Sequence, residues 1–404
     1  MLGALRSVTA SIELSRDPQG FFDRRAAAQG ANFTTSVWPL GEIAVVSRPN
    51  TIADLFAADA DALRAGEATR RVLPLLAGSI LCADGEEHER RHRALLPVFR
   101  ASRVAARTER IEWLARRAFD SLPRGRRVPL LPALRRLTFA VLAEAVLGTT
   151  DEEFTIELQR RVNRYLSGPP ILATWSASQR PLLGAELARR QRSVDEHLRE
   201  AMAQSGRASD GDALSLLVES GAEEKEVLAD LRALLIVGHE TTAAALAWGL
   251  DLLARHPHVA ARLRDGDNRY VEAVVAEVLR LRPPVVDSVR LAAHDVMLGG
   301  RAVSAGTFLL AAPLLAHRDP VAYPDPWRFE PNRFLDHRPP QGAYFPFGGG
   351  SRRCLGAPLA SLQLGVVLEL AARTLHLQAA NRPEQARLRG TAVVPARGAK
   401  LIVE

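Results

Sequence analysis

Phe347-Gly-Gly-Gly-Ser-Arg-Arg-Cys-Leu-Gly356 carries the strongest structural signal in the sequence. Cys354 comes directly before a stretch with helical periodicity, and the free N–H groups at a helix start favour a thiolate with a lowered pKa. The glycines that end at Gly350 permit a tight turn with positive φ, and Gly356 has no side chain to obstruct a flat ligand. Arg352 can pair with a carboxylate on such a ligand. By residue types alone, a structural hairpin with a buried cysteine competes with this interpretation.

The spacing of this segment adds a further indication. Phe-x-x-Gly-x-x-x-Cys-x-Gly resembles the haem-binding signature of the cytochrome P450 family, and the segment matches every fixed position. The resemblance implies a haem b cofactor (iron protoporphyrin IX) whose iron takes the sulfur of Cys354 as its axial ligand. It also implies that Phe347 shields the sulfur and that Arg352 contacts a haem propionate. A thiolate ligand pushes electron density onto iron and favours cleavage of the O–O bond.

Two further stretches resemble elements of the same family. Glu277-Val-Leu-Arg280 places an acid and a base on one helical face, where the two side chains can pair. Read in isolation, this is an ordinary surface ion pair that stabilises little. Pro331-Asn-Arg-Phe334 follows downstream, and the resemblance implies that Arg333 joins Glu277 and Arg280 in a buried network that supports the cysteine loop.

Val237-Gly-His-Glu-Thr-Thr242 resembles the oxygen-binding groove of the family. A threonine in mid-helix can bond a preceding carbonyl and distort the helix, and Gly238 removes bulk beside it. The resemblance implies that Thr241 stabilises bound dioxygen and that Glu240 helps to deliver protons. Val237 replaces the small residue that is usual in this motif, so we expect it to narrow the pocket.

Asp84-Gly-Glu-Glu-His-Glu-Arg-Arg-His-Arg93 resembles the helix that covers the haem edge, where two side chains contact a propionate. His88 is the first of these contacts, and either His92 or Arg93 completes the pair. Arg290 matches a further propionate arginine at the start of a strand. Taken singly, each of these residues would be interpreted as solvated surface.

The rest of the chain predicts a mainly α-helical protein with a small β region. A helix of residues 223–254 is long enough to cross the whole domain, and the resemblance makes it the central helix over the haem. Residues 37–46 read as a hairpin and residues 394–403 as closing strands. We find no internal repeat, linker or domain boundary, so we expect residues 1–404 to form a single domain, which the resemblance makes a cytochrome P450 domain.

The composition is that of a folded soluble protein, with 47% hydrophobic and 25% charged residues. No uninterrupted apolar run approaches the length of a bilayer, and the N-terminus lacks a signal-peptide layout, so we expect a cytoplasmic protein without a membrane partner. Cytosolic thiols usually stay reduced, and Cys82 lies in an apolar stretch. It is interpreted as a small buried hydrophobe.

The net charge of +7 raises the question of nucleic acid, but all except two of the 53 basic residues are arginines. They are scattered along helical faces without interleaved aromatic residues, so we expect no nucleic-acid partner. A basic surface for an acidic protein fits better, and Arg352, Arg353 and residues 90–93 are its candidates.

The resemblance implies a monooxygenase that inserts one oxygen atom of O2 into a hydrophobic small molecule, such as a terpenoid, a fatty acid, a steroid or another natural product. With no flavin or nucleotide domain appended, NAD(P)H would act indirectly, through a ferredoxin or flavodoxin and its reductase. We expect a monomer. A haem sensor is the second class considered, and the Glu240–Thr241 pair argues against it. Epoxidation, desaturation, coupling and the use of peroxide stay open within the enzyme class.

The substrate pocket is predicted from the family's pocket-lining segments. Its residues are Val237, Val286, Asp287, Val289, Ala392 and Val393. Asp287 is the unusual member. A turn aspartate satisfied by backbone N–H groups is its more ordinary interpretation, and a substrate anchor is the alternative. Pro169-Pro170 interrupts the stretch that would form a lid helix.

Overall fold

The computed structural model describes residues 2–58, 60–167, 181–204, 211–380 and 382–404, so the predicted lid interruption at Pro169-Pro170 lies outside the described residues. The described part is mainly helical, as predicted. In chain order, the helices are α1 (Leu2–Arg16), α2 (Pro18–Gln29), α3 (Pro49–Ala57), α4 (Ala65–Val72), α5 (Gly85–Leu95), α6 (Ala101–Ala105), α7 (Thr108–Asp120), α8 (Leu131–Leu147), α9 (Glu152–Leu166), α10 (Pro181–Gln204), α11 (Ala213–Glu219), α12 (Glu224–Arg255), α13 (Pro257–Leu263), α14 (Asn268–Leu281), α15 (Pro313–Ala316), α16 (Arg333–Asp336) and α17 (Ala357–Thr374). The strands are β1 (Phe33–Val37), β2 (Gly41–Val46), β3 (Leu63–Arg64), β4 (Arg127–Pro129), β5 (Ser288–Ala292), β6 (Val296–Leu298), β7 (Arg301–Val303), β8 (Phe308–Ala311), β9 (Leu377–Ala379), β10 (Ala386–Arg389), β11 (Ala392–Pro395) and β12 (Lys400–Val403).

Helix α12 is the predicted central helix. It is apolar on nearly all sides and therefore lies inside the fold, with Trp248 completely buried. By length and composition the helix could cross a membrane, with a mean hydropathy of 1.3 over an 18-residue window. Because 78% of that window is buried within the protein, the helix serves as the core of the fold.

Glycines let two neighbouring helices approach α12 closely. A β-carbon on Gly238 would lie 2.8 Å from Leu142 of α8, and one on Gly249 would lie 2.8 Å from Leu368 of α17. Both distances are shorter than packed side chains permit. Helix α8 then ends at Gly148, whose φ of 68° is the left-handed conformation of a helix cap.

The β region is small and divided among several sheets. The largest has the strand order β1-β2-β8-β5-β3. Its β1–β2 hairpin confirms the predicted turn, with Val37 opposite Gly41. Strand β8 runs parallel to β2 and antiparallel to β5. Because β5 carries Arg290 and directly follows Asp287, this sheet positions two of the predicted site residues.

Candidate active site around Cys354

The cysteine loop forms a tight turn before helix α17. Gly348 and Gly350 have φ values of 67° and 66°, which only glycine adopts without strain. The backbone N–H of Cys354 donates to the carbonyl oxygen of Phe347 at 2.9 Å and closes the turn. Gly356 then caps the start of α17. The predicted local structure of this loop is therefore observed.

Gly350 was also predicted to be one of the residues that bind the cofactor, and it does not line the cavity. A β-carbon there would be 2.3 Å from the carbonyl oxygen of Phe56, and one on Gly349 would be 2.5 Å from the Phe56 ring. Both glycines let the loop pack against helix α3. Gly350 thus shapes the loop from outside and does not line the cavity expected to hold the cofactor.

A cavity of about 390 Å³ lies between the cysteine loop and helix α12. Cys354, Phe347 and Gly356 line it from the loop, and Gly238 and Thr241 line it from the helix. The predicted ligand and the predicted oxygen-binding groove therefore share one cavity. The two motifs are far apart in sequence, and the fold brings them together.

Cys354 belongs to the wall of this cavity, where its thiol is accessible from the cavity but is surrounded by protein. Burial nevertheless raises the pKa of its thiol, because the loss of hydration outweighs the N–H groups of Gly356 and Ala357 and the charge of Arg353. The expected lowering of the pKa by the helix start is therefore wrong for the protein alone. Cys82 is buried, as predicted, and neither cysteine forms a disulfide.

Basic side chains collect at one edge of the cavity. Arg352 donates to Asp84 at 2.6 Å. Arg290 is buried and donates only to one hydroxyl and two carbonyl oxygens, and burial lowers its pKa to about 10. Burial lowers the pKa of His88 to about 4 and also lowers that of His92, so both rings are neutral at pH 7. In the described part of the chain, Arg290 is a buried cation without an anionic partner.

The structure also separates the two alternatives for the second propionate contact. His92 lines the cavity, and its ring lies 5.6 Å from the ring of His88. Arg93 is exposed, and its Nε donates to the carbonyl oxygen of Glu89 at 3.3 Å. His92 is therefore the better placed of the two residues.

On helix α12, some of the predicted groove residues line the cavity and Glu240 faces away from it. The Oγ1 of Thr241 donates to the carbonyl oxygen of Val237 at 2.9 Å, the bond expected of a threonine in mid-helix. Both residues line the cavity. Gly238 also lines it, but the hydrogen that replaces its side chain faces Leu142, so this glycine serves the contact with α8 as well.

Glu240 faces away from the cavity. Its carboxylate forms a two-point ion pair with Arg135 of α8, with one contact of 2.7 Å from Nε to Oε2. The buried ring of His239 lies beside it, with Nε2 4.0 Å from the carboxylate and without a hydrogen-bond partner in the described residues. Arg135 could not be predicted from the sequence, because it lies 105 residues from its partner and belongs to no recognisable motif.

The predicted network around Glu277 is assembled inside the protein. The side chains of Glu277 and Arg280 are completely buried and joined by contacts of 2.5 and 2.8 Å. Arg333 donates to Glu277 at 3.2 Å, and the backbone N–H of Glu330 donates to it at 2.9 Å. These contacts tie helix α14 to the irregular chain that precedes the cysteine loop.

His317 connects this network to the cysteine loop, and sequence reasoning missed it. Arg280 donates to the His317 carbonyl oxygen at 2.9 Å, and the His317 ring accepts the N–H of Phe345 at 3.0 Å. Burial and the charges of Arg280 and Arg318 lower the pKa of His317 to about 3. The ring is therefore a neutral acceptor that fixes the chain two residues before the loop begins.

Half of the predicted substrate pocket lies on the cavity wall. Val237, Asp287 and Val289 line the cavity. The other three predicted residues are packed into hydrophobic clusters behind it, namely Val286, Ala392 and Val393. The prediction is wrong for Ala392 and Val393 because the backbone of Val393 pairs with Pro284 and Trp248, which holds strand β11 behind the wall. It is wrong for Val286 because that side chain is buried in a hydrophobic cluster.

The residues present fit haem b. An anionic ligand would supply the partner that the buried Arg290 lacks, and haem carries two propionates. Cys354 offers a sulfur ligand to iron, and the glycine beside it adds no bulk to the wall. Fold and site together define a haem-thiolate protein.

The comparisons with known proteins agree. The chain belongs to the cytochrome P450 family, whose sequence model matches residues 36–403. It is thus an oxidoreductase of the monooxygenase class that binds haem iron. Among its relatives, the putative cytochrome P450 135B1 of Mycobacterium tuberculosis is 31% identical over 400 residues, covering 93% of this chain and 84% of the relative. The putative cytochrome P450 137 of the same organism is 33% identical over 395 residues, covering 92% and 83%.

Solved structures show the same fold at lower sequence identity. Cyanobacterial CYP120A1 with bound retinoic acid superposes with a TM-score of 0.84 at 23% identity, over 95% of this chain and 94% of that one. CYP175A1 from Thermus thermophilus superposes with a TM-score of 0.79 at 24% identity, over 97% of this chain and 96% of that one. The predicted fold class is therefore confirmed.

Proposed function

We propose that this chain inserts one oxygen atom of O2 into an apolar small molecule, with electrons from a separate redox partner. The observation that carries the proposal is the shared cavity, which Cys354 and Thr241 line together with mainly apolar neighbours. Bound haem would supply the reductive activation of dioxygen, in which two electrons and two protons leave one oxygen atom in the product and the other in water.

The cavity wall favours an apolar substrate. Leu81, Phe99, Leu142, Leu234 and Val289 all contribute to it. Each apolar group that a ligand buries there contributes about 25 cal/mol per Å² of surface removed from water. The same wall keeps water from the reacting atoms, which limits side reactions. A terpenoid, a fatty acid, a steroid or a similar natural product meets this description.

Protons would reach the cavity through helix α12. Thr241 donates its own hydrogen to Val237, so its Oγ1 can still accept one from a neighbouring donor. Glu240 adjoins it in sequence, but its carboxylate is held by Arg135. For Glu240 to pass a proton to Thr241, one of its carboxylate oxygens has to break its contact with Arg135. The ion pair therefore limits the motion of Glu240 towards Thr241.

Electrons would come from NAD(P)H through a ferredoxin or flavodoxin and its reductase. Of the basic residues considered for the docking surface, Arg90, Arg91 and Arg352 are paired with carboxylates. Arg93 and Arg353 are exposed, and Arg353 adjoins the ligand cysteine. These two residues are the better candidates to meet an acidic partner.

We also infer a cytoplasmic monomer without a nucleic-acid or membrane partner. Many of the arginines are neutralised locally by acids three or four residues away on the same helix, as in Arg160–Glu157 and Arg373–Glu369. Such pairing prevents the continuous positive surface that nucleic acid requires.

The test begins with a spectral screen of terpenoids, fatty acids, steroids and aromatic natural products for a shift of the haem band. A ligand that responds is then incubated with NADPH, the reductase, a ferredoxin or flavodoxin, and ¹⁸O2. We expect one labelled oxygen atom in the product. Oxygen that comes from water, or turnover that needs only peroxide, would contradict the proposal.

The same assay tests Thr241. Thr241→Ala should bind substrate as before, yet the product formed per NADPH should fall several-fold and peroxide should rise, because the cavity loses a hydroxyl that passes protons. Thr242→Ala is the comparison, since Thr242 forms the same kind of bond, to the carbonyl oxygen of Gly238 at 3.1 Å. An equal ratio of product to NADPH in Thr241→Ala and wild type would remove Thr241 from the mechanism.

A further inference from the structure

Asp287 is an acid in a cavity whose other described lining residues are apolar, neutral polar or basic. It lies between Pro284 and strand β5, and it is the one carboxylate among the described residues that line the cavity. The ordinary interpretation, a turn aspartate capped by backbone N–H groups, is wrong. Within the described part of the chain, neither of its carboxylate oxygens accepts a hydrogen bond, and the residue is partly buried in the cavity wall.

No cation of the described chain compensates this carboxylate. Burial alone raises the pKa of Asp287, to about 6. Arg290 follows three residues later, but it donates to Ser288 and to backbone oxygens, and its pKa responds to Arg352 and Asp84. A carboxylate enclosed in this way is unfavourable unless a ligand provides a donor or a positive charge.

Apolar side chains surround the acid on the same wall. Val285 and Val289 lie on either side of it in sequence, and Val237 lines the cavity from helix α12. A ligand that fills this part of the cavity therefore meets mainly apolar surface, together with the hydroxyl groups of Thr241 and Ser288 and one carboxylate. Such a wall selects a molecule with an apolar body and a single polar group.

We propose that Asp287 binds a protonated amine of the substrate, so that the substrate is an apolar molecule with a basic nitrogen. The inference rests on the proposed function, since the ligand in question is the molecule to be oxidised. A protonated amine offsets the charge of the carboxylate and also donates N–H hydrogen bonds to its oxygens. A hydroxyl group on the ligand donates a hydrogen bond but leaves the charge of Asp287 uncompensated. A carboxylate on the ligand is repelled by Asp287.

Three ligands with the same twelve-carbon chain test this preference for a cation on the purified holoprotein: dodecyltrimethylammonium, 1-dodecanol and dodecanoate. The quaternary ammonium has no lone pair, so it cannot bind iron through nitrogen, and it has no N–H group, so it tests the contribution of the positive charge alone. Dissociation constants are measured at pH 7.5 by calorimetry and by the shift of the haem band. We expect the ammonium ligand to bind at least about 10-fold more tightly than dodecanol, and dodecanoate to bind most weakly.

Asp287→Asn keeps the shape of the side chain and removes the charge. It should reduce the advantage of the ammonium ligand over dodecanol to about twofold or less and leave dodecanol binding unchanged. Asp120→Asn makes the same change in charge at an exposed helix end and should keep the wild-type order. The inference is overturned if the wild-type protein binds the ammonium ligand no more tightly than dodecanol. It is also overturned if the Asp287→Asn variant keeps the wild-type order of affinities for the three ligands.

The outcomes also separate this inference from the proposed function. If the protein oxidises neutral ligands with O2 but shows no preference for the cation, the role of Asp287 is wrong and the monooxygenase assignment stands. If the preference for the cation depends on Asp287 but no product contains oxygen from O2, the inference stands and the proposed reaction is wrong.

Discussion

Glu277→Ala should destabilise the protein far more than the loss of one carboxylate on its surface. In the wild type, Glu277 accepts two hydrogen bonds from Arg280, one from Arg333 and one from the backbone of Glu330. After the change, Arg280 keeps three bonds to carbonyl oxygens, but its Nε has no other acceptor and its charge remains completely buried.

The size of the effect follows from that geometry. Removing one partner of a buried ion pair costs about 3–5 kcal/mol, because the other charge is left uncompensated. Proteins are typically stable by only about 5–15 kcal/mol, so this single change removes a large share of the free energy of unfolding. Glu277→Gln, which keeps an acceptor without the charge, should fall between Glu277→Ala and the wild type.

The assay is urea unfolding of purified protein, together with the amount of haem bound per chain. Glu369→Ala provides the control, because Glu369 pairs with Arg373 on helix α17 at a partly exposed site, in contrast to the completely buried Glu277. That pair should contribute about 0.3–0.5 kcal/mol. The reasoning would be refuted if Glu277→Ala and Glu369→Ala lowered the free energy of unfolding by similar amounts and both retained full haem content.

Two further predictions concern the cavity. Arg290→Leu should weaken haem binding at least several-fold, because it removes the buried arginine that has no carboxylate partner. Arg93→Leu on the exposed face should leave haem binding unchanged. The rate of haem transfer to apomyoglobin measures the difference between the two variants. Binding of dodecyltrimethylammonium should strengthen as pH rises from about 5 to 7 and then level off, because the carboxyl of Asp287 ionises with a pKa of about 6 while His88, with a pKa of about 4, is already neutral. Asp287→Asn should bind this ligand equally well across that range, and a pH dependence retained in the variant would assign the titration to another group.

Much of this site could be predicted because its parts are encoded as short local patterns. The cysteine turn depends on glycines within a few residues of Cys354, and the pair of Glu277 and Arg280 depends on the spacing of one helical turn. The central helix is likewise visible as a long apolar stretch. Its observed bounds, Glu224–Arg255, lie within a residue of those expected from the sequence.

Other features could not be predicted, because they depend on contacts between distant parts of the chain. Arg135 meets Glu240 only after helices α8 and α12 pack together, and His317 reaches the loop only through the folded chain. Gly350 was misplaced because the sequence shows that a turn needs glycine but does not show which neighbour it faces. The pKa of Cys354 depends on burial, which no local pattern reveals.

The most direct test of the account is the absorption spectrum of the reduced carbon monoxide complex of the purified protein. We predict the red-shifted Soret band of thiolate ligation in the wild type and in Cys82→Ala, whose cysteine is buried away from the cavity. Cys354→His should lose that band, even where it retains haem. A Cys354→Ala variant that kept the thiolate band would contradict the assignment of Cys354 as the ligand.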